Sequence, residues 1–148
     1  MGTNLFVYGT LMVAEVMGRV SGCHQAGEVA LLHGHRRRRL SRQVYPAIVP
    51  CPGGRVEGLL YRGLAPGQLA ALDAFEGAMY RRVAVTVVIQ AECFTAETYL
   101  LRKAWSHLLS DEDWSLQRFV AEGLREFLAD YPGFAATTPS DVVDEQQR

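Results

Sequence analysis

The sequence has little of what would tie it to a metal, a disulfide framework or a membrane. Cys23, Cys51 and Cys93 are its only cysteines, odd in number, widely spaced and without a CxxC pair. They suit neither a disulfide scaffold nor a thiolate metal site, and inert thiols are expected. Histidine is scarce too. His33 and His35 bracket Gly34, but an i,i+2 pair on an extended segment needs a further ligand that the sequence does not offer, and His24 and His107 are isolated. No metal site is expected. Fifteen Lys and Arg stand against sixteen Asp and Glu, a formal charge of −1, so no global field favours nucleic acid or a membrane surface. No apolar run is long enough to span a bilayer, and no signal-like segment precedes LFVYG. GxSxG, a phosphate-loop lysine and the dinucleotide motifs are all missing. The expectation is a reduced, cytoplasmic protein. Residues 1–135 form its single domain and the polar residues 136–148 a flexible tail.

What is present is 49% hydrophobic and 21% charged, ordinary for a globular domain with a substantial core. Leu5–Tyr8 reads as a strand that runs into a glycine turn between two hydroxyl side chains, Tyr8-Gly9-Thr10. A short helix around Val13–Val20 closes at Ser21-Gly22, and Glu28–Leu32 reads as a strand. Beyond a turn near Tyr45-Pro46 come a brief apolar segment, Ala47–Val49, and an expected loop, Pro50–Gly54. Arg55–Gly63 is a strand whose Gly58 marks a bulge or a close backbone approach. Pro66 suits a first helical turn, Leu69, Leu72 and Phe75 follow at three-residue spacing, and Gly77 stands where a left-handed cap would end the helix. Val83, Val85, Val87 and Ile89 alternate through the strand Arg82–Gln90, with Phe94–Leu101 as its hairpin partner.

The last third looks helical. Ser110 with Asp113 resembles a capping box for a helix over Asp111–Tyr131. Phe119, Val120, Leu124, Phe127, Leu128 and Tyr131 share one of its faces, and Pro132-Gly133 stops it. Strands, one short helix, more strands and a terminal helix make an α+β domain with a curled sheet or small barrel.

Two features invite a functional reading. Arg36–Arg39 suggests nucleic acid, but four consecutive arginines on a strand point to both faces and no aromatic interleaving accompanies them. A solvated edge strand is the better expectation. Glu76 ends the helix just before Gly77, where the negative end of the helix dipole disfavours its charge. Partial burial against Tyr80 and the strand at Arg82, with Asp73 three residues back, would push it further toward proton exchange near neutrality. By position alone, the better expectation is that Glu76, like Asp73, is a solvated helix former.

LFVYGTLM, YPAIVP at 45–50, VEGLLY at 56–61, LDAFEGAMYRRVAV at 72–85 and AETYL at 96–100 occur in that order. Together, over roughly residues 4 to 102, they resemble the γ-glutamyl cyclotransferase-like superfamily, which includes γ-glutamylamine cyclotransferases and plant avirulence-induced proteins. The resemblance implies a small mixed β-barrel of about five to seven strands with flanking helices. It implies an enzyme without a cofactor that releases 5-oxoproline and a free amine or amino acid from a γ-glutamyl amide by attack of the substrate's own α-amine. Glu76 would be the catalytic acid/base, and Tyr8, Gly9, Thr10 and Leu11 the substrate-binding turn. Tyr80 and Tyr99 would line the pocket or orient the carboxylate, and Arg82 could pair with Asp73 or a substrate carboxylate. The partner is then a small γ-glutamyl molecule, with neither nucleic acid nor membrane, bound by a monomer or homodimer. A non-catalytic module that keeps the pocket only for binding a small ligand is the alternative.

Overall fold

A computed structural model describes residues 2–130 of the chain. Strand β1 (Thr3–Val7) shows why its sequence is apolar without alternation: Leu5, Phe6 and Val7 are all buried. Leu5 and Val7 pack with Val16 and Met17 of helix α1 (Ala14–Ser21) and Leu69 and Leu72 of helix α2 (Pro66–Glu76). Phe6, on the other face, joins Ala30, Ile48, Val56, Val87 and Ala96 from four further strands. A strand with apolar matter on both sides needs no polar face.

Those strands are β2 (Glu28–Leu40), β3 (Pro46–Leu64), β4 (Tyr80–Ile89) and β5 (Glu92–Leu101), and a sixth, β6 (Leu109–Asp113), follows. The sheet runs β3-β1-β5-β4-β2-β6, and β2 also pairs with β3, so five strands come round into a ring while β6 extends it. Only β1 and β5 run parallel. The β2–β4 seam carries one register pair, Leu31 with Val88, so the ring is partly closed. This is the expected α+β architecture, with six strands and flanking helices. No described helix is long and apolar enough to cross a membrane.

Gly58 holds the close approach its position suggested. A Cβ there would overlap the Val7 carbonyl oxygen and lie 2.7 Å from Phe6 Cζ. Since the first clash is with backbone, Gly58→Ala is expected to cost about 2–3 kcal/mol in chemical denaturation. An unchanged midpoint would mean that the ring can open at β1–β3.

Several sequence expectations need correction. Pro50–Gly54 is no loop but part of β3: His33 faces Arg55 and His35 faces Pro50, so residues 51–54 bulge opposite Gly34 alone. A long hairpin absorbs such an insertion by slipping register instead of ending. The hairpin turn between β4 and β5 is Gln90-Ala91, both at positive φ, with Ile89 facing Glu92, so β5 starts earlier than expected. Gly77 caps α2 at φ 77, ψ −165, a glycine conformation but not the left-handed helical one.

The expected helix Asp111–Tyr131 fails at its start. Leu109–Asp113 is a strand on β2, the N-cap is Ser115 with its Oγ accepting from Arg118 N, and Gly123 divides the rest into α3 (Leu116–Glu122) and α4 (Leu124–Asp130). The arginine run is the reason. Arg36 Nε lies 3.0 Å from Asp113 Oδ1, Arg38 Nε donates to the Ser110 carbonyl at 2.6 Å, and Arg39 pairs with Glu112 at 3.7 Å. Charge complementarity thus draws the acidic segment alongside β2 as a strand. For the same reason Arg36–Arg39 is not a solvated edge, because β2 lies between β3 and β6. Val120, assigned to the buried helical face, is 48% exposed once the helix breaks. Tyr131, Pro132-Gly133 and residues 136–148 lie outside the described residues.

Candidate active site

At the C-terminal end of β1 the chain leaves the ring through Tyr8 and turns at Gly9 into a single 3₁₀ turn, Thr10–Met12. Met12 N donates to the Gly9 carbonyl at 2.9 Å and Val13 N to that of Thr10 at 3.1 Å. A Cβ on Gly9 would come within 2.8 Å of Pro46 Cδ, so only glycine lets the turn sit this close to the start of β3. The turn borders a cavity of about 350 Å³. Tyr8, Gly9, Thr10 and Leu11 form one wall of it; Glu76 from the end of α2, Tyr80 from β4 and Tyr99 from β5 face them. All seven residues singled out in the sequence therefore line one cavity.

Hydrogen bonds hold this wall in place. The Tyr8 hydroxyl donates to the Tyr99 carbonyl at 2.6 Å and the Tyr80 hydroxyl to the Pro46 carbonyl at 2.7 Å. The Tyr99 hydroxyl donates to Asp73 Oδ1 at 2.7 Å, and Arg82 grips both Asp73 oxygens at 3.0 and 3.1 Å while also pairing with Glu97. Arg82 thus serves Asp73, the first of the two partners considered for it. Asp73 does not line the cavity and acts on Glu76 through its charge.

Glu76 receives no hydrogen bond from any described side chain. Burial, and then the charge of Asp73, push its carboxyl from 4.5 up to about 8. Burial likewise raises the hydroxyls of Tyr8, Tyr80 and Tyr99, with Glu76 adding to each, so all three stay protonated. The cavity thus offers a carboxyl able to take or give a proton near neutrality, neutral hydroxyls, and a glycine turn with backbone N–H groups.

Sequence reasoning did not assign the other walls. Gln43, Val44 and Tyr45 come from the turn before β3, Gly123 from the break between α3 and α4, and Glu126 and Phe127 from α4 itself. YPAIVP was a visible motif that pointed to the first group; nothing local pointed to the second. Arg37 was also missed. Its NH1 donates to the Tyr8 carbonyl at 2.8 Å, and its guanidinium lies over the Trp114 ring, 5.2 Å from the centroid.

Residues 5–116 match the family described as gamma-glutamyl cyclotransferase, AIG2-like. AIG2-like protein A of Arabidopsis thaliana is 33% identical over 117 residues, 75% of this chain and 71% of that protein. Protein AIG2 A of the same plant is 35% identical over 86 residues, so the match spans 58% of this chain and only about half, 51%, of that relative's length. A solution structure of an Arabidopsis thaliana protein superposes with a TM-score of 0.67 at 27% identity, covering 91% of this chain and 82% of the other. A structure of gamma-glutamyl cyclotransferase superposes with a TM-score of 0.59 over 68% of this chain and 66% of its own; at 22% identity that likeness is one of fold. Most of α3 and all of α4 lie beyond the matched stretch, although the segment from Gly123 to Phe127 completes the cavity. The motif order, the six-stranded sheet partly closed into a ring and these matches agree, and the chain belongs to the gamma-glutamyl cyclotransferase, AIG2-like family.

Proposed function

We propose that the protein is a γ-glutamyl cyclotransferase, releasing 5-oxoproline and a free amine or amino acid from a γ-glutamyl amide, with Glu76 as general acid/base. The observation that carries this reading is that Glu76, with its carboxyl raised to about 8, and the Tyr8–Leu11 turn border one cavity. In the proposed reaction the ionised Glu76 takes a proton from the substrate's α-ammonium. The freed nitrogen attacks the γ-carbonyl carbon, and the carbonyl oxygen carries the negative charge of the tetrahedral intermediate. Backbone N–H groups of the Tyr8–Leu11 turn are the donors for that oxygen. Collapse breaks the original C–N bond as Glu76 returns that proton to the leaving nitrogen; the second proton of the ring nitrogen then passes through the same carboxylate to the departing amine, leaving neutral lactam and an ammonium.

Nucleophile and electrophile belong to one molecule, so the site needs no serine or cysteine. Its task is to hold a ring-closing conformer, an effect that can supply several kcal/mol. Tyr80 and Tyr99, with raised hydroxyls, act in this reading as fixed walls that neither compete for the proton nor leave the ring.

A panel of γ-glutamyl amines, amino acids and peptides should include at least one substrate that yields 5-oxoproline and free amine in equal amounts. If none does, the catalytic reading fails. Tight but unreactive binding by calorimetry would then support the ligand-binding module instead. That module is the weaker reading, because a buried carboxyl poised to exchange protons near neutrality is a feature that binding alone does not require.

A further inference from the structure

We infer that Arg37 is the positioning residue of the glycine turn, holding the Tyr8–Gly9 peptide in the one orientation that keeps the Gly9 N–H available to the site. The four arginines of β2 do not do the same work. Arg36, Arg38 and Arg39 each form an ion pair with the acidic strand β6. Arg37 forms none among the described residues. Its NH1 donates to the carbonyls of Tyr8 at 2.8 Å and Glu57 at 3.2 Å, and its guanidinium covers Trp114. Its Nε is buried with no described partner, and burial lowers its pKa. Glu57 and Asp113 favour its charge from a distance, but a partly desolvated cation with an orphaned donor and no carboxylate in contact among the described residues is a poor device for stability. What it does accomplish is to fix two backbone carbonyls, one of them belonging to Tyr8, a residue that lines the cavity.

That carbonyl matters because of peptide geometry. In a planar trans peptide the C=O and the following N–H point in opposite directions, so anchoring the Tyr8 oxygen on Arg37 sends the Gly9 N–H the other way. A peptide next to glycine is also the one most free to flip, since glycine tolerates both orientations. A flip would exchange a donor for a carbonyl oxygen at the turn, and an oxygen there would repel the oxyanion. Arg37 is the lock on that flip. The role in turnover rests on the cyclotransferase reading; the control of the turn does not.

The test compares Arg37→Met, similar in length and apolar, with Arg37→Lys, which retains a charge and donors on one nitrogen but not the planar guanidinium. Arg37→Met should lower kcat/KM for 5-oxoproline release about 30-fold. The pH limb assigned to Glu76 should stay in place, the Gly9 amide signal in a ¹⁵N–¹H spectrum should shift, and its hydrogen exchange should quicken. Arg37→Lys should recover part of the rate. Wild-type kcat/KM in Arg37→Met overturns the inference. If Arg37→Met does not fold, Arg37→Lys decides: a reduced rate with a displaced Gly9 amide supports the role, and parental values for both overturn it. If the parent releases no 5-oxoproline from any substrate, the cyclotransferase reading fails on its own, and the Gly9 amide still judges Arg37. An unmoved signal with unchanged exchange rejects it, and a moved one sustains it.

Discussion

Glu76→Gln is expected to lower 5-oxoproline release by about 10³-fold without unfolding the protein. The amide keeps the shape and the capacity for hydrogen bonding but cannot carry a proton from one nitrogen to the other. The loss should fall on kcat more than on KM, because the turn and the cavity walls that hold the substrate are untouched. The same variant has a stability signature with a definite sign. Glu76 binds a proton in the folded state up to about pH 8 and in the unfolded chain only up to about 4.5. The folded state is therefore favoured while Glu76 is neutral, and stability declines as pH rises from the unfolded value through the folded one. Gln has no such penalty, so Glu76→Gln should be more stable than its parent at pH 9 by about 2–4 kcal/mol; the lower end fits a cavity that water can enter. A variant that is both slower and more stable at alkaline pH is hard to explain by damage. Unchanged activity would remove Glu76 from the mechanism.

The pH–rate profile should show the same group at work. Glu76 accepts a proton only when ionised, so kcat/KM should approach a tenfold fall per unit below about pH 8, about 50-fold in all between pH 8 and 6. In the substrate complex the α-ammonium lies against the carboxylate and favours its charge, so the corresponding limb of kcat should lie at lower pH. Asp73 supplies part of the shift, held in place by Arg82 and the Tyr99 hydroxyl. Its neutralisation in Asp73→Asn should move the kcat/KM limb to lower pH. A limb that instead follows the amine pKa of each substrate in turn would report the substrate's ionisation and contradict the assignment.

The half of the site that lies within short stretches was legible in the sequence. YGTL is a strand that passes directly into a single 3₁₀ turn, and LDAFEG is a helix end whose glutamate sits beside its cap. Local patterns of this kind survive folding because their causes are local. The misread parts have causes distant in sequence. Ser110–Asp113 carries a respectable helix-start pattern, yet the arginines of β2, some seventy residues earlier, draw it into a strand. Both charge runs were visible, but nothing in either named the other as its partner. Arg37 was hidden by its neighbours: as one of four arginines it looked like surface, and only the placement of β1 beside β3 brings the Tyr8 carbonyl within its reach. Glu126 and Phe127 reach the cavity because Gly123 breaks a helix that periodicity alone would have continued.

The account turns on one γ-glutamyl-derived group lying between the Tyr8–Leu11 turn and Glu76. Every substrate of the proposed reaction gives the same cyclic product, so a crystal structure with saturating 5-oxoproline tests this without knowledge of the leaving amine. The account predicts the product in the cavity, its ring nitrogen toward the Glu76 carboxyl and an oxygen accepting from backbone N–H groups of the turn. Product bound elsewhere, or absent from the cavity at saturation, would contradict it.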